Sequence, residues 1–409
     1  MPSIAAGYHR FLIMTLTLLI DLDDTLLINE IETFQKVYFK RLSEALAPMV
    51  APGTMMSAMM ASIDGMLNKK TPALSLEEQF DREFYSRLGI PKETLEETIG
   101  HFYNSTFPQL RPLTSPRAGA VQLIEYSFQH NWDVVIATNP VFPRTAIEQR
   151  LEWAGLPPSR YPFKLITTFE TSHYCKPHPA YYAEILGRLV WPQNPVVMIG
   201  NSYQDDIQPT EILGFPTFWL RKDQDVEWRG TWSQSGPFSE ILPWLERIET
   251  EQPRSDYLSA GAITATLQST PAVLTEVARG LPAESWVHRP GEFEWNLIEI
   301  LAHLRDVDRE VNLGRILTTL RGDNPFLPGA NTDPWVQERQ YSLEDGSKAL
   351  NGFVESRTRL LELIDGADAE TLQQPARHAI FGPTTLKELL GFIATHDRTH
   401  IRQAYNAIS

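Results

Sequence analysis

The feature that most constrains the fold is an alternation of short apolar runs with helical patterns in the first 220 residues. Five runs are apolar enough to form strands buried on both faces, and they span 16–22, 133–138, 163–168, 196–199 and 217–220. Helical patterns at 144–154 and 180–189 separate some of these runs. This alternation predicts an α/β fold with a doubly wound, Rossmann-like parallel sheet.

A long stretch without a strand pattern interrupts this alternation after the first run. Residues 29–115 have a helical pattern and are rich in methionine around 55–66. We predict that this stretch is a helical cap inserted over the C-terminal edge of the sheet, where folds of this class bind their ligands.

The pattern changes again near residue 250. The polar segment TEQPRSD at 250–256 contains a proline and is typical of a domain linker. Amphipathic helical patterns follow at about 258–280, 295–320, 344–365 and 384–407. They predict an antiparallel four-helix bundle. We therefore expect two domains, at 14–250 and 257–409.

The composition limits the partners and the compartment. The net charge of -15 argues against nucleic acid or an anionic membrane as the main partner. The single cysteine, Cys175, excludes an internal disulfide and indicates the cytoplasm. The apolar stretch at 11–20 lacks a cleavage site of small residues and is about half the length of a membrane span. We interpret it as a buried strand after a short leader, with Met14 as a candidate start of translation.

Polar residues follow four of the five apolar runs. They are Asp21, Asp23, Asp24 and Thr25 after the first run, Thr138 and Asn139 after the second, Lys176 after the third, and Asn201, Asp205 and Asp206 after the fourth. Since the carboxyl ends of parallel strands meet at one edge, we expect these residues to share a crevice. Two carboxylates about 4 Å apart repel by roughly 4 kcal/mol at an effective dielectric of about 20, so a cation is needed nearby. Mg²⁺, which prefers carboxylate and carbonyl oxygens, and Lys176 supply that charge.

These residues resemble the four motifs of the haloacid dehalogenase-like (HAD) phosphatase superfamily. The segment Asp21–Thr25 matches the DxDxT signature, Thr138 the second motif, Lys176 the third, and 200–206 the fourth. The acid at Asp23 distinguishes the phosphatases from the dehalogenase branch. The resemblance covers roughly 15–250, and the insertion at 29–115 has the position of that family's first helical cap.

The resemblance implies a mechanism for the N-terminal domain. Asp21 is the nucleophile and forms an aspartyl-phosphate. Asp23 protonates the leaving oxygen and then activates water. Thr138 and Asn139 hold the phosphoryl oxygens, and Lys176 offsets the charge of both the nucleophile and the phosphoryl group. The implied substrate is a small phosphorylated metabolite.

The resemblance also implies a Mg²⁺ ion bound by Asp21, the Asp23 carbonyl and the fourth motif. That motif usually has the pattern GDxxxxD, whereas here Asn201 replaces its first acid. One negative charge is therefore missing, although Asp205 and Asp206 are candidates to compensate. Weakened Mg²⁺ affinity and compensation by these two acids are both compatible with the sequence.

Three histidines mark the predicted bundle. His396 and His400 lie four residues apart, so they share one face of the last helix. His303 occupies an otherwise apolar helical position. Three buried neutral imidazoles would cost about 1–3 kcal/mol for each unpaired polar group, and a shared divalent ion would satisfy them. Glu299, one turn before His303, is either a partner for an imidazole N–H or solvated.

The segments EWNLIEILAHLRD and TTLKELLGFIATHDRTHIRQ resemble the two halves of the signature of DinB-like four-helix bundles. The resemblance covers about 258–407. It implies that His303, His396 and His400 bind Zn²⁺ or Ni²⁺ with an open fourth position.

The sequence thus favours a Mg²⁺-dependent phosphatase fused to a metal-binding DinB-like domain. Two alternatives stay open at this stage. The bundle is the active half and transfers a thiol, or Asn201 marks an impaired HAD scaffold that senses a ligand or metal. A homodimer is compatible with the sequence, which does not fix the oligomeric state.

Overall fold

The computed structural model describes residues 15–69, 71–221 and 230–409. The predicted leader and Met14 lie outside the described residues. Within the described ranges, no helix combines the length and the apolar character that crossing a membrane requires.

The first half of the chain contains the predicted parallel sheet. Its strands and those of an adjoining antiparallel pair are β1 (Thr17–Ile20), β2 (Leu27–Asn29), β3 (Thr114–Pro116), β4 (Asp133–Ile136), β5 (Leu165–Ile166), β6 (Val196–Gly200), β7 (Thr217–Leu220) and β8 (Gln234–Gly236). Six of them form one sheet in the order β5-β4-β1-β6-β7-β8, with every neighbouring pair parallel. The α/β prediction is confirmed. The short, polar strand β8 was not predicted.

The order of the strands fixes where a ligand can bind. From β1 the chain forms β4 and β5 on one side and then returns to the other side to form β6, so β1 lies at the topological switch point. The loops after β1, β4 and β6 therefore face one crevice at the carboxyl edge of the sheet.

Helices cover both faces of the sheet and form the insertion. In chain order they are α1 (Ile31–Leu46), α2 (Pro52–Leu67), α3 (Leu76–Leu88), α4 (Lys92–His101), α5 (Ala120–Gln129), α6 (Arg144–Trp153), α7 (Pro179–Arg188), α8 (Gln208–Ile212) and α9 (Ile241–Glu251). The first four make up the cap, which leaves the sheet domain through the antiparallel pair of β2 and β3. That pair acts as a two-stranded stem for the cap.

The second half of the chain is a helical bundle with a small sheet. Its elements are α10 (Ala260–Ala278), α11 (Ala283–Val287), α12 (Leu297–Val307), α13 (Leu313–Arg321), β9 (Phe326–Leu327), α14 (Trp335–Glu338), α15 (Gly346–Ile364), α16 (Ala369–Leu372), β10 (Pro375–His378), β11 (Gly382–Thr385) and α17 (Leu386–Ala407). The helical pattern predicted at 295–320 is divided by a π-helical turn at Asp308–Asn312. The sheet β11-β10-β9 was not predicted. The boundaries 14–250 and 257–409 stay a prediction.

One buried cluster joins the two halves. It contains Leu19 of β1, residues of α7, and residues of α10, α12, α15 and α17. Helix α7 packs so closely against α10 that a Cβ atom at Gly187 would overlap the Val273 side chain. The Tyr174 hydroxyl also donates to the Gln268 carbonyl at 3.1 Å. The bundle therefore covers one face of the sheet domain.

A buried ionic network holds the bundle helices together. The fully buried Arg357 of α15 donates to Asp308 Oδ2 at 2.7 Å and to Asp397 Oδ1 at 2.9 Å. Asn312 Nδ2 donates to Asp308 Oδ1 at 2.8 Å, and Arg357 also donates to the Leu267 carbonyl at 3.2 Å. The network thus connects α10, α15, α17 and the π-helical turn.

Removing the guanidinium should therefore destabilise the protein. We expect Arg357→Met to lower the free energy of unfolding by about 3–5 kcal/mol, because two carboxylates would stay buried without their partner. Arg359→Met is the matched control: Arg359 lies on the same helix and pairs with Glu355 at 2.7 Å on the exposed surface. That change should cost less than about 1 kcal/mol. Urea unfolding of the full chain, followed by circular dichroism, compares them; equal losses would contradict a special contribution from the network.

Candidate active site and metal centre

A buried ammonium group connects two of the predicted aspartates. Lys176 Nζ donates to Asp21 Oδ1 at 2.7 Å and to Asp206 Oδ1 at 2.6 Å, and the Lys176 side chain is only 2% exposed. Burial opposes the charge on Lys176, but Asp206 and Asp21 outweigh it and raise its pKa well above the usual value. Burial raises the pKa of Asp206, against the effect of Lys176. The expected convergence of these three residues from separate loops is present.

Gly200 makes the close approach of Asp206 possible. It ends β6, and a Cβ atom at this position would overlap the Asp206 carboxylate. Asp206 Oδ2 accepts from the backbone N–H of Ser202 at 2.9 Å, which fixes the other carboxylate oxygen. The loop after β6 therefore aims one oxygen of Asp206 at Lys176.

Three oxygen-bearing groups converge beside the second oxygen of Asp21. Thr25 Oγ1 donates to Asp21 Oδ2 at 3.0 Å. The Asn201 amide lies 3.1 Å from the Asp23 carbonyl oxygen and 3.3 Å from Asp21 Oδ2, and with its nitrogen turned towards them it donates to both. The amide N–H of Asn201 thus partly offsets the negative charge on Asp21 Oδ2 and the Asp23 carbonyl oxygen.

Asp23 has a partner that the sequence did not reveal. Its Oδ1 accepts from Asn29 Nδ2 at 2.7 Å and forms an ion pair with Arg150 of α6. Arg150 is fully buried and lies over the rings of Phe34 and Phe142, at 5.6 and 5.2 Å from their centroids. Burial lowers its pKa to about 10, so the guanidinium is charged at neutral pH. Three nitrogens of this guanidinium have no hydrogen-bond partner of good geometry.

Thr138 and Asn139 lie directly after β4. The Thr138 carbonyl accepts from Thr167 Oγ1 and from the Tyr181 hydroxyl, both at 2.8 Å, so its backbone position is fixed. The side-chain oxygen of Asn139 is buried without a hydrogen-bond partner. This loop stands at the carboxyl edge of the sheet, as predicted.

Asp205 is oriented differently from Asp206. Its carboxylate accepts from Ser202 Oγ at 2.9 Å, and its backbone carbonyl accepts from the Tyr182 hydroxyl at 2.6 Å. Asp205 thus takes part in the turn at the start of the π-helical segment Tyr203–Ile207. The structure brings Asp21, Lys176, Asp206 and Asn201 together, but it shows no contact between Asp205 and that group.

The charges of the centre leave room for a dication. With all five groups ionised, Asp21, Asp23 and Asp206 contribute three negative charges, and Lys176 and Arg150 two positive ones, which leaves a net charge of -1. A phosphate dianion would be repelled from such a centre. A divalent ion would reverse the sign of the net charge.

The residues present fit Mg²⁺. Asp21 Oδ2, the Asp23 carbonyl and the Asn201 amide offer oxygen atoms of the kind that Mg²⁺ prefers, and the Asn201 amide lies 3.3 Å from the first and 3.1 Å from the second. The same amide, rotated, presents its oxygen in place of its nitrogen. Among the described residues, however, these carboxylates do not form a group of three close acidic ligands. The protein therefore offers fewer charged ligands than the predicted set of Asp21, Asp23, Asn201, Asp205 and Asp206.

Cys175, beside Lys176, is buried among apolar residues. It is 3% exposed and clusters with Met66 and Leu76 of the cap. Burial raises the pKa of the thiol to about 12, so the nucleophilic thiolate does not form near neutral pH.

The three predicted histidines meet in the bundle. His396 Nε2 lies 3.3 Å from His303 Nε2 and 3.0 Å from His400 Nε2. In the part of the chain that the structure describes, these residues form the single group of three or more His, Cys, Asp or Glu whose ligand atoms lie within 4.8 Å of one another. The spacing on α17, together with a helix facing it, thus produces the expected cluster.

The environment of this cluster favours neutral imidazoles. Burial and then the neighbouring His396 lower the pKa of His303 to about 3, and burial lowers the pKa of His396 and His400 as well. Neutral imidazole is the form that binds metals. The Nδ1 atoms of His303 and His400 are buried without partners, and Trp295 stacks on His400 with ring centroids 5.7 Å apart. The cluster therefore fits a transition-metal ion.

Glu299 does not have either role considered for it. It is buried, and it forms a reciprocal helix cap with Asn296 at the start of α12. It also pairs with Arg289. Its carboxylate therefore stabilises the helix that carries His303 instead of contacting an imidazole or the solvent.

A cavity adjoins the histidine cluster. Its volume is about 240 Å³, and its lining combines apolar side chains with Asn312, Arg315, His378 and His396. Asp397, which follows His396, belongs to the buried network of Arg357. His396 of the histidine cluster and Asp397 of the network thus lie on successive residues of one helix.

Residues 266–404 match the family model of the DinB superfamily. The C-terminal domain is a DinB-like domain. No curated protein matches the chain. The solved structure of YfiT from Bacillus subtilis, a protein with an unusual four-helix bundle topology, is similar to the DinB-like domain: it is 18% identical, with a TM-score of 0.34, and the match covers 38% of this chain and 90% of YfiT.

Solved structures of HAD proteins are similar to the N-terminal half. The HAD phosphatase from Thermococcus onnurineus is 18% identical, with a TM-score of 0.35, and the match covers 56% of this chain and 97% of that protein. YfnB from Bacillus subtilis, described as a HAD-hydrolase and solved with magnesium bound, is 23% identical, with a TM-score of 0.36. The match covers 57% of this chain and 99% of YfnB.

Elemental analysis tests the metal site of the DinB-like domain. The full chain, purified without a histidine tag, should contain about one transition-metal ion per molecule. His396→Ala should lower that content at least tenfold, on the order of the effect of losing one of three ligands. His101→Ala, at an exposed position of the cap, is the control and should leave the content unchanged. Metal retained by the His396 variant would exclude the three-histidine site.

Proposed function

We propose that the N-terminal domain is a Mg²⁺-dependent phosphatase that hydrolyses a small phosphomonoester through an aspartyl-phosphate. The observation that carries this proposal is the placement of Lys176 between Asp21 and Asp206, at 2.7 and 2.6 Å. This arrangement holds a nucleophilic carboxylate in a fixed orientation beside a permanent positive charge. A phosphoryl group needs both features.

The chemistry follows in two displacements. An oxygen of Asp21 attacks phosphorus, the ester bond breaks, and Asp23, which is protonated in the complex with substrate, gives that proton to the leaving oxygen. In the second step Asp23 takes a proton from water, the water oxygen attacks phosphorus, and the Asp21 carboxylate is released. Asn29 and Arg150 hold the Asp23 carboxylate in position throughout.

The bound ion and the loop after β4 complete this proposal. Mg²⁺, held by Asp21, the Asp23 carbonyl, Asn201 and Asp206, would offset the negative charge of the phosphoryl oxygens. Lys176 and the backbone around Thr138 and Asn139 would orient those oxygens for attack.

A panel of phosphorylated metabolites tests the activity. The protein with Mg²⁺ should release phosphate from at least one ester, and Asp21→Asn should lower the rate by at least about a thousandfold, because the nucleophile is lost. Asp133→Asn, at the opposite end of the sheet, keeps the same change of charge away from the centre and should retain activity. Turnover by the Asp21 variant would exclude the aspartyl-phosphate, and no turnover on any ester would exclude the phosphatase.

The asparagine of the fourth motif gives a separate prediction. Asn201→Asp should lower the Mg²⁺ concentration that gives half-maximal activity by at least about tenfold, because a carboxylate replaces a neutral amide among the metal ligands. Asp205→Asn is the contrasting change, since Asp205 faces Ser202. It should leave the Mg²⁺ requirement close to that of the wild type. A requirement unchanged in the Asn201 variant would place the ion elsewhere.

For the DinB-like domain we propose a Zn²⁺ or Ni²⁺ site at His303, His396 and His400. Three neutral imidazoles whose Nε2 atoms converge support this proposal. The adjoining cavity beside His396 would give a small ligand access to the ion. Metal-dependent hydrolase activity has been suggested for YfiT, which is similar to this domain.

A further inference from the structure

A cavity of about 380 Å³ lies between the cap and the sheet domain. The cap helices α1 to α4 form most of its wall, and the loops after β4 and β5 form the rest. This volume is in the range of small-molecule sites, near its lower end. The cavity is separate from the cavity of the DinB-like domain.

The wall of this cap cavity is apolar. Of its 23 lining residues, 17 are aliphatic or aromatic. Eight aromatic rings contribute, from Tyr38, Phe39, Phe80, Phe84, Tyr85, Tyr103, Phe142 and Phe169. A site of this composition binds apolar groups through burial of their surface and through ring contacts.

The charges in the wall disfavour a second anionic group. Lys92 is the single cation among the described lining residues, and it is engaged with Glu77 at 2.9 Å and Asp81 at 2.6 Å. Glu170 adds another carboxylate to the wall, where it accepts from the backbone N–H of Arg144 at 2.9 Å. The balance of these charges is negative, so a carboxylate or a second phosphate would be repelled.

Two residues connect the cap cavity to the catalytic centre. Asn139 lines the cavity and directly follows Thr138, and its buried side-chain oxygen has no hydrogen-bond partner. Phe142 also lines the cavity, and its ring lies 5.2 Å from the guanidinium of Arg150, which pairs with Asp23. The cavity therefore adjoins the loop proposed to bind the phosphoryl group. Through Phe142 it also adjoins Arg150, the partner of Asp23.

We propose that the cap cavity receives the leaving group of the substrate, and that this group is an uncharged, apolar alcohol of about the size of a six-membered ring. The proposal rests on the proposed phosphatase activity. With an uncharged leaving group, the phosphoryl group is the only charged part of the substrate. The alternative route is the cleft lined by Arg117, Arg221 and Asp24, where two cations outnumber one carboxylate and would favour an anionic leaving group.

Three phosphate esters of primary alcohols with similar numbers of carbon atoms distinguish these routes. They are cyclohexylmethyl phosphate, glucose 6-phosphate and 6-phosphogluconate, which carry an apolar, a hydroxyl-rich and an anionic group. We expect kcat/KM of the full-length protein for the cyclohexylmethyl ester to exceed that for glucose 6-phosphate by at least about tenfold, as a hydrophobic pocket discriminates. The value for 6-phosphogluconate should be the lowest.

A substitution at the wall gives an independent test. Met60 lines the cavity from α2 and is 51% exposed, so Met60→Arg introduces a cation without disturbing the core. It should lower the preference for the cyclohexylmethyl ester over 6-phosphogluconate by at least about tenfold, since a cation in the wall attracts the carboxylate. Met49→Arg makes the same change on a cap residue that is 40% exposed and outside the cavity lining, and it should leave the ratio unchanged.

The possible results separate this inference from the phosphatase itself. Equal or faster turnover of glucose 6-phosphate or 6-phosphogluconate would overturn the inference while the phosphatase stands. The same holds if the best ester of the metabolite panel has a charged or hydroxyl-rich leaving group, or if the Met60 and Met49 variants shift the ratio equally. If no ester at all is hydrolysed, both the proposed function and this inference are wrong.

Discussion

The N-terminal half depends on one buried positive charge. Lys176 lies between Asp21 and Asp206, which come from the ends of two adjacent strands, and without it two carboxylates would share an interior position at a cost of several kcal/mol. The charge therefore stabilises the fold and also fixes the orientation of the Asp21 carboxylate. Gly200 belongs to the same constraint, because any larger residue would displace Asp206. A substitution of any one of these residues would therefore leave the others without a partner or displace them.

Much of this architecture was predictable from the sequence because buried parallel strands have a simple signature. The runs at 16–22 and 133–138 contain β1 and β4, and the run at 196–199 covers β6 except for its last residue. The polar residues after these runs converge as parallel topology requires. Strand β8 gave no such signal, since its three residues, Gln234–Gly236, include no apolar side chain to form a buried run. The π-helical turn at Asp308–Asn312 was not predicted either, because the helical pattern continues through it, whereas its residues Asp308 and Asn312 contact a network that only the fold brings together.

The candidate sites were predictable where a motif has fixed spacing and otherwise not. His396 and His400 share a helical face by spacing, and the apolar surroundings of His303 placed it with them. Arg150 and Arg357 gave no such indication, because an arginine in an amphipathic helix normally lies in solvent. Both are fully buried and satisfy carboxylates that come from distant segments. Long-range charge pairing of this kind is decided by the fold, and a single sequence does not encode it locally.

The close contact of Gly187 with Val273 shows that the two halves of the chain pack tightly against each other. Helix α7 begins three residues after Lys176, and it packs against the helices of the bundle. Separating the halves would expose these buried apolar residues to solvent. Either half expressed alone would therefore lose part of its hydrophobic core. We therefore expect the two halves to unfold together rather than independently, because they share one buried cluster.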